Sequence, residues 1–473
     1  MKVHLLVKPA TFNHEARASL RHLALNEKRL AREVFSLAQM GSTVLKPVLL
    51  KETIAFARTT KFYRQLWQEI DLDRIDLESL SYLPIVTRSQ IRAAGDEARV
   101  REGAICNEVF TSGTTGPPLI TLRGDKEQEF ISSYFSLVAK QHSGSKLRGL
   151  KFIDPCHGYH VRVPVPIHFH NVSIYDAGSF DYAREVLSTE HREIGIENRC
   201  TILLGGGRCL RAFTLDTANR FGRIDSSLER VVSVGHYLTR RWRNFIEETW
   251  GAPIIDCYSL SEIFGGATQS LACGWWHFDE SVIPEVVDTQ SRHTMTEGIG
   301  VLVLTSLFPF QQVQPLVRYM TGDLVEVTHS RSSIPGCLSI RPLGRLSHAV
   351  FSRDGRTCLL NPASLVEALD AMPEVARSPL LRDSNQVSDN FIIGLPRFAL
   401  ETVDESNRRA IRICIALGEG FRTEGDRRRL RQKICHQLLD KNLDLTRAVD
   451  CGEVTLVITY DDQIAGCDIS APG

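Results

Sequence analysis

The chain has 473 residues, of which 43% are hydrophobic and 24% are charged, and its 56 Lys and Arg residues balance its 56 Asp and Glu residues. This length predicts two or three domains, and the composition excludes wholesale disorder. A formal net charge of zero argues against a nucleic-acid binder that is held mainly by phosphate attraction. We therefore expect a globular protein without a nucleic-acid partner.

The sequence carries no sign of export or of a membrane span. Residues 3–7 form a short apolar stretch that is too short for a secretory signal. No later stretch reaches the about 18 continuous apolar residues that a membrane helix needs. The 12 cysteines include no Cys-x-x-Cys pair, so no zinc ribbon or thioredoxin-type site is indicated. We predict free thiols, a cytoplasmic location and no membrane partner.

The chain opens with a helical segment. Apolar side chains recur at intervals of three and four across residues 13–69, which is the period of an α-helix. Further on, either Thr87 or Ser89 can cap a short helix that ends at Gly95. We therefore expect helices to lead into the main body of the protein.

Between about residues 107 and 327, short apolar strands alternate with helical stretches. This alternation predicts βαβ units and a largely parallel sheet. The clearest strands are residues 201–204, 231–234 and 254–257, and the clearest helix is 239–249.

The pattern changes near Gly344, and the rest of the chain mixes helices with strands. The predicted fold class is α/β, with a large multi-sheet N-terminal domain of βαβ units followed by a smaller α+β C-terminal domain. The C-terminal helices are predicted at residues 363–372 and 426–439, and its strands at 412–416 and 454–460. The proposed divisions are a helical lead-in at 1–105, a core at 106–345 and a small domain at 346–473.

The strongest local motif is residues 109–118, Val-Phe-Thr-Ser-Gly-Thr-Thr-Gly-Pro-Pro, where a strand ends in hydroxyls and glycines. Glycines allow a tight turn whose N–H groups point inward, and the hydroxyls add donors, which together suit a polyphosphate. The Walker A pattern GxxxxGK[ST] is absent. An ordinary Ser/Thr/Gly hairpin is the alternative interpretation of these residues.

This motif resembles the phosphate loop of the adenylate-forming superfamily, which includes acyl-CoA synthetases, peptide-synthetase adenylation domains and luciferases. Further resemblances follow in the superfamily's order. Residues 256–262, Asp-Cys-Tyr-Ser-Leu-Ser-Glu, are similar to its second core motif, and residues 318–324, Arg-Tyr-Met-Thr-Gly-Asp-Leu, to its ribose motif. Gly344-Arg345 stands where the superfamily has its hinge. The sequence Leu-Ser-Glu at 260–262 resembles that of the phenylacetate-CoA ligase branch.

The resemblance implies a site for ATP and Mg²⁺. Glu262 would bind the metal, Asp323 would accept the ribose hydroxyls, and Tyr258 would offer its ring to adenine. The implied catalytic residues are Thr115, Glu262 and Arg345. The implied ATP-binding residues are Thr111, Ser112, Gly113, Thr114, Thr115, Gly116, Asp256, Tyr258, Ser261, Asp323 and Arg345.

For the carboxylate substrate, the resemblance points to two short segments. Residues 157–160 stand where the branch has an aromatic and glycine segment beside the acyl pocket, and Gly235 would let a flat acyl group approach the backbone. Structural histidines are the alternative interpretation of this region. The glycines at 205–207 lack the GxGxxG pattern, and we interpret them as a turn. The implied substrate-binding residues are His157, Tyr159, Gly235 and His236.

Two further patterns have ordinary interpretations. Cys273-x3-His277 offers only half of a metal site, since no second pair stands at a suitable spacing. The basic run 427–433 is predicted to be the solvated face of a helix whose apolar side is Leu430, Ile434 and Leu438, and contact with the phosphates of CoA is the alternative.

The chain departs from the superfamily in its C-terminal part. Superfamily members usually carry a lysine near the C-terminus that reaches the substrate carboxylate and the α-phosphate, but no lysine follows Lys441 here. The hinge aspartates are replaced by Leu-Ser-His at 346–348. Loss of one preorganised charged group slows catalysis by about 10² to 10³ without abolishing binding.

The resemblance as a whole implies an enzyme that converts ATP and an aryl or arylacetyl acid into acyl-AMP and pyrophosphate. CoA or an amine would then take the acyl group, in secondary metabolism. The alternatives are a degenerate adenylating fold that binds nucleotide or acyl-AMP without full catalysis, and an acyl-protein synthetase-like member. A homodimer is left open.

Overall fold

The computed structural model describes residues 26–100, 106–110, 119–141, 144–153, 161–173, 178–224, 226–235, 237–328, 338–377, 394–404, 408–418, 420–421 and 423–461. The helices of these residues are α1 (Glu27–Gln39), α2 (Ser42–Ala57), α3 (Lys61–Leu66), α4 (Arg88–Ala94), α5 (Asp125–Lys140), α6 (Ser179–Ser188), α7 (Gly207–Phe221), α8 (Arg240–Trp250), α9 (Pro362–Asp370), α10 (Glu424–Lys441) and α11 (Leu443–Asp450).

The strands are β1 (Cys106–Phe110), β2 (Ile120–Gly124), β3 (Lys146–Ile153), β4 (Ile167–Ser173), β5 (Ile196–Gly206), β6 (Arg230–Val234), β7 (Ile254–Leu260), β8 (Ile263–Gln269), β9 (Trp276–Phe278), β10 (Val282–Val287), β11 (Gly298–Ser306), β12 (Tyr319–Thr328), β13 (Ser339–Arg345), β14 (Val350–Phe351), β15 (Cys358–Leu360), β16 (Phe398–Asp404), β17 (Arg409–Ile415) and β18 (Val454–Tyr460).

The predicted helical opening is confirmed from residue 26 onward by α1 to α3. Asn26 caps α1, because its side chain accepts the backbone N–H groups of the first turn. The short helix predicted before Gly95 is α4, and its cap is Thr87 rather than Ser89. The side chain of Gln90 reaches back to Thr87 N at 2.8 Å, which completes a capping box.

The main sheet of the described residues has 11 strands in the order β10-β11-β12-β13-β9-β8-β7-β6-β5-β3-β4. Strands β4, β3, β5, β6 and β7 are parallel, as expected for βαβ units. The prediction of a largely parallel sheet was wrong for the other half, where β7 to β13 pair antiparallel. Short connections join most of these strands, and a parallel pair needs a crossover of a dozen residues or more.

The C-terminal part has a sheet of its own, in the order β16-β17-β18, with α9, α10 and α11 packed around it. Its hydrophobic core is separate from the cores of the main sheet. Leu430, Ile434 and Leu438 of α10 are at most 1% exposed, which confirms the apolar side of the basic helix. The fold class predicted from the sequence is therefore confirmed.

Helix α9 connects the two parts by packing against the loop that precedes α8. Tyr237 Oη donates to Glu367 Oε1 at 3.0 Å, and the same oxygen accepts Arg240 N at 2.9 Å. Thr239 Oγ1 donates to Asp370 Oδ2 at 2.5 Å. Two acidic side chains of α9 thus hold the C-terminal part against the main sheet.

The described cysteines are free thiols, as predicted, at positions 200, 209, 257, 273, 358, 414, 435 and 451. Among the described helices, none combines the length and apolar character that a bilayer crossing requires.

Candidate active site

The carboxyl ends of three parallel strands meet at one edge of the main sheet. Gly206 at the end of β5 pairs with Val234 of β6, and Val234 pairs with Cys257 of β7. Gly235 follows β6 at a φ of +79°, which favours glycine, and a Cβ there would meet open space. Such an edge is the usual place for a ligand in an α/β sheet.

The glycine run at 205–207 is not the turn that we predicted. Its first two residues are the last residues of β5, because pairing with β6 continues through Gly206. Gly207 is then the first residue of α7. The chain thus passes directly from strand to helix at this edge.

A compact group of polar side chains is formed by β7, the turn after it, and the neighbouring strands β12 and β13. We call it the carboxylate cluster, and it comprises Tyr258, Glu262, Tyr319, Asp323 and Arg345. Tyr258 is on β7, and Glu262 is in the turn between β7 and β8. Tyr319 and Asp323 are on β12, and Asp323 pairs with Arg345 of β13. The fold thus brings together residues that are up to 87 positions apart in the chain.

Asp323 is the centre of the carboxylate cluster and is fully buried. Its Oδ2 accepts the hydroxyl of Tyr258 at 2.6 Å, and its Oδ1 lies 2.9 Å from Arg345 Nη1. Arg345 Nη1 also donates to the carbonyl of Thr321 at 3.0 Å. The carboxylate is therefore held by a hydrogen bond on Oδ2 and by an ion pair on Oδ1.

Burial and the neighbouring charges have opposite effects on the pKa values of Asp323 and Arg345. Burial raises the pKa of Asp323 to about 6, although the Arg345 guanidinium opposes the shift. Burial alone would lower the pKa of Arg345, but the Asp323 carboxylate raises it. Burial and Asp323 raise the pKa of Tyr258 well above its ordinary value, so this hydroxyl stays a proton donor.

Glu262 is 6% exposed and takes a hydrogen bond from the hydroxyl of Tyr319 at 3.1 Å on Oε1. Gln311 Nε2 donates to its backbone carbonyl at 3.2 Å, which fixes the turn. Burial, and then the Glu262 charge, raise the pKa of Tyr319. A single oriented carboxylate with hard oxygen atoms fits Mg²⁺, which takes few protein ligands when phosphates supply the others.

A cavity of about 610 Å³ lies between the main sheet and the C-terminal part. Asp256 and Tyr258 of β7 line it on one side, and Lys441 at the end of α10 lines it on the other. Burial raises the pKa of Asp256 to about 6, and Arg243 opposes the shift. The cavity therefore joins Tyr258 of the carboxylate cluster to the C-terminal part of the chain.

The structure thus brings together Tyr258, Glu262, Asp323 and Arg345 and places Asp256 at the adjoining cavity. Ser261 lies in the turn next to Glu262, and Gly235 lies at the strand edge.

Sequence reasoning missed Tyr319, although it stands inside the ribose-like motif. Its signal was a tyrosine hydroxyl four residues before the motif's aspartate. The predicted residues outside the described part are Thr111, Ser112, Gly113, Thr114, Thr115, Gly116, His157, Tyr159 and His236.

Cys273 and His277 lie together, with Sγ 3.3 Å from Nε2. The other ring nitrogen of His277 is 3.4 Å from Ser339 Oγ. In the described part of the chain these two residues belong to no group of three metal-ligating side chains. This agrees with the ordinary interpretation of the pair.

Comparison with known proteins adds to this geometry. No protein-family model matches the chain. The phenylacetate-coenzyme A ligase of Thermus thermophilus is 25% identical over 368 residues, which cover 72% of this chain and 78% of that protein. The chain is therefore similar to phenylacetate-coenzyme A ligase over most of its length. This result confirms the resemblance that the motifs indicated.

Solved structures support the fold of this phenylacetate-CoA ligase-like chain. A 2-hydroxyisobutyryl-CoA ligase, in an open conformation with 2-HIB-AMP and CoA, matches with a TM-score of 0.61 and 14% identity, over 93% of this chain and 90% of that one. A shorter likeness is to the fumarate–(S)-2,3-diaminopropanoate ligase of Enterobacter agglomerans, which is 30% identical over 118 residues, or 24% of this chain and 29% of that protein.

Proposed function

We propose that this chain is an AMP-forming acid ligase. It joins a carboxylic acid to the AMP part of ATP, releases pyrophosphate and then passes the acyl group to CoA. The observation that carries the proposal is the carboxylate cluster, in which Tyr258, Glu262, Asp323 and Arg345 meet beside the strand edge. The relatives support it, because phenylacetate-CoA ligases are among them.

The reaction requires two anions, the acid and the α-phosphate, to be held in line. Arg345 supplies a permanent positive charge next to Asp323. A carboxylate has about four acceptor positions, so Asp323 can accept the ribose hydroxyls in addition to its hydrogen bond from Tyr258 and its ion pair with Arg345. These residues therefore orient the nucleotide.

We assign the metal to Glu262, whose buried carboxylate Tyr319 holds in place. When bound there, Mg²⁺ would offset the charge of the phosphates. The loop at 111–116, with Thr115 in a catalytic role, is proposed to hold the β- and γ-phosphates by its N–H groups and hydroxyls. Asp256 and Ser261 complete the proposed nucleotide site.

The acid is proposed to bind at the edge beside Gly235, where a Cβ would meet open space. His157, Tyr159 and His236 are its other proposed contacts, and an aryl or arylacetyl skeleton suits them. CoA is the first proposed acceptor. An amine is the second, and the fumarate–(S)-2,3-diaminopropanoate ligase likeness favours it.

The C-terminal domain, residues 346–473, is proposed to move between the two half-reactions, as Arg345 ends the last strand of the main sheet. Lys441 lines the interdomain cavity together with Tyr258, so a lysine of this domain faces the site without standing at the usual position. The free thiols suit a cytoplasmic enzyme.

The test is acid-dependent exchange of pyrophosphate into ATP, over a panel of aryl, arylacetyl and short aliphatic acids. We expect at least one acid to support exchange, and the same acid to form a thioester when CoA is added. If ATP binds but no acid supports exchange, the chain is a degenerate adenylating fold and the proposal is wrong.

A further inference from the structure

Arg318 directly precedes Tyr319, the residue whose hydroxyl holds the Glu262 carboxylate. It is 3% exposed, and its backbone has a φ of +51°, in the left-handed region that favours glycine. A long side chain remains in this region only where the surrounding contacts impose it, and such residues are common at functional sites. The contacts of Arg318 therefore deserve a functional reading.

The side chain of Arg318 joins two separate parts of the main domain. Its Nε donates to Glu285 Oε2 of β10 at 3.0 Å, and Glu285 is itself 8% exposed. Its Nη1 donates to the backbone carbonyls of Leu83 and of Ser81, at 2.8 Å for Ser81, in the helical lead-in. A planar guanidinium serves several acceptors in a fixed geometry. The side chain thus clamps the lead-in to β10.

The backbone of Arg318 is held by the same surroundings. Its N–H donates to Thr305 Oγ1 at 3.0 Å, and its carbonyl accepts Val86 N at 2.9 Å. The carbonyl of Val86 in turn accepts Met320 N at 2.8 Å. Val86 of the lead-in therefore contacts the residue on each side of Tyr319, and the start of β12 is fixed there.

The fixed segment leads directly to the proposed metal ligand. Tyr319 is 1% exposed, and its hydroxyl donates to Glu262 Oε1 at 3.1 Å. A group that holds a metal-binding carboxylate orients it, and loss of such a group typically lowers metal affinity or activity by about 10- to 100-fold. Because the ring of Tyr319 is carried by its backbone, the contacts on both sides of this residue decide where its hydroxyl lies.

We propose that Arg318 is a positioning residue for the metal site, which fixes the backbone of Tyr319 and so aims the Glu262 carboxylate. This inference rests on the proposed function and deepens it. It gives the helical lead-in a part in metal binding, because the carbonyls that Arg318 engages belong to the lead-in. Arg318 acts through Tyr319 and not by contact with the substrate.

The experiment compares Arg318→Lys with Arg184→Lys. Lysine keeps the charge, but its single ammonium cannot reproduce the planar fork of donors. Arg184 is the matched control, because it is 6% exposed and paired with Asp216 at 2.6 Å, but lies on α6 and is no part of the carboxylate cluster. We expect Arg318→Lys to raise the magnesium concentration for half-maximal pyrophosphate exchange by about 10-fold. Arg184→Lys should leave it unchanged.

Binding of Mn²⁺–ATP, followed by electron paramagnetic resonance, supplies a readout that needs no turnover, because Mn²⁺ takes the same oxygen ligands as Mg²⁺. Arg318→Lys should weaken this binding by about 10-fold and leave the affinity for metal-free ATP unchanged. Tyr319→Phe should weaken it at least as much, and Arg318→Lys should add little in that background, since both changes act on one contact.

Thermal unfolding separates positioning from loss of stability. Both lysine variants loosen a buried ion pair and should lower Tm by similar amounts, so a difference in Mn²⁺–ATP binding between them has another cause. Glu285→Gln loosens the clamp from its other end, and it should weaken Mn²⁺–ATP binding in the same direction. It carries the test if Arg318→Lys does not fold.

Several results would overturn the inference. Unchanged Mn²⁺–ATP binding in a folded Arg318→Lys would make Arg318 a purely structural residue, as would equal weakening in Arg184→Lys or an equal loss of metal-free ATP. Additive effects of Arg318→Lys and Tyr319→Phe would show that Arg318 acts by another route. If no acid supports exchange, the proposed function fails, while the Mn²⁺–ATP measurements still decide the inference. If the parent protein binds ATP equally well with and without Mn²⁺, the inference fails by itself.

Discussion

Two tyrosine hydroxyls orient the two carboxylates of the candidate active site. Tyr258 donates to Asp323 at 2.6 Å and Tyr319 donates to Glu262 at 3.1 Å. Burial raises the pKa of both tyrosines, so each remains a donor over the whole working range of pH. A held carboxylate needs little reorganisation when a cation or a hydroxyl binds, which is the physical basis of preorganised catalysis.

Glu262→Gln tests the proposed metal ligand. Removing the negative charge should lower the rate of pyrophosphate exchange by about 10² to 10³ and weaken its dependence on magnesium concentration. Glu280→Gln is the matched control, because Glu280 likewise accepts a tyrosine hydroxyl, Tyr134 at 3.0 Å. An unchanged rate in Glu262→Gln would show that the metal is held elsewhere.

Asp256 makes the stability of the fold depend on pH. Its folded pKa is raised from 3.8 to about 6, so the folded state binds a proton that the unfolded state has lost between these values. The contribution of Asp256 to the free energy of unfolding therefore falls as the pH rises from about 4 to about 6. The measurement is urea unfolding of Asp256→Asn and of the parent protein at pH 4 and pH 7. The variant should gain stability relative to the parent, and this gain should be larger at pH 7 than at pH 4.

Asp288→Asn provides the opposite control for this measurement. A backbone hydrogen bond from Ser291 lowers the pKa of Asp288, so its stabilising contribution is present above the ordinary value and is lost as the pH falls. This variant should lose stability at neutral pH and not in acid. The same sign of change in both variants would contradict the assignment for Asp256.

At the scale of elements, the site exists because the strand pairing changes from parallel to antiparallel at β7. On one side of β7 the strands are parallel and end at a common edge, and on the other side they are antiparallel. Tyr258 and Asp323 are on β7 and β12, which are separated in the sheet by β8, β9 and β13. The hydrogen bond of 2.6 Å between these two side chains therefore joins strands that are not neighbours in the sheet.

The cap of α4 tests the local argument for a helix start. Thr87→Ala removes the side chain that accepts Gln90 N at 3.3 Å and should cost about 1 kcal/mol in the free energy of unfolding. Ser89→Ala, at the other position that the sequence allowed, should change stability by less than about 0.5 kcal/mol. The measurement is urea unfolding, and an equal loss in both variants would contradict the assignment of Thr87 as the cap.

At the scale of the whole molecule, α9 governs how the C-terminal domain sits on the main sheet. Glu367 accepts both Tyr237 Oη and Arg240 N, and Asp370 accepts Thr239. The interdomain cavity lies under this contact, between Tyr258 and Lys441. The strength of the α9 contact should therefore control access to the site.

Glu367→Ala tests this control. Loss of its two hydrogen bonds should weaken docking by about 1 to 3 kcal/mol and increase the radius of gyration measured by small-angle X-ray scattering. Glu374→Ala is the control, because Glu374 pairs with Lys433 inside the C-terminal domain at 2.6 Å. An unchanged radius of gyration in Glu367→Ala would show that other contacts hold the domain.

The sequence by itself determined the local features of this protein. Thr87 and Gly95 bound α4, the period of Leu430, Ile434 and Leu438 predicted the buried side of α10, and the short apolar runs predicted β5, β6 and β7. The order of motifs predicted the superfamily. These features follow from hydrogen bonds and periodicities within a few residues, which a sequence records directly.

Only the tertiary structure decided which distant residues meet. The antiparallel half of the sheet, the place of Tyr319 against Glu262 and the use of Asp256 at the cavity depend on strand order, which no local pattern encodes. The burial of Arg211 of α7 likewise depends on the tertiary structure. An arginine is expected to be solvated or paired, and only the packing of α7 against its neighbours reveals that this one is buried without a described acceptor.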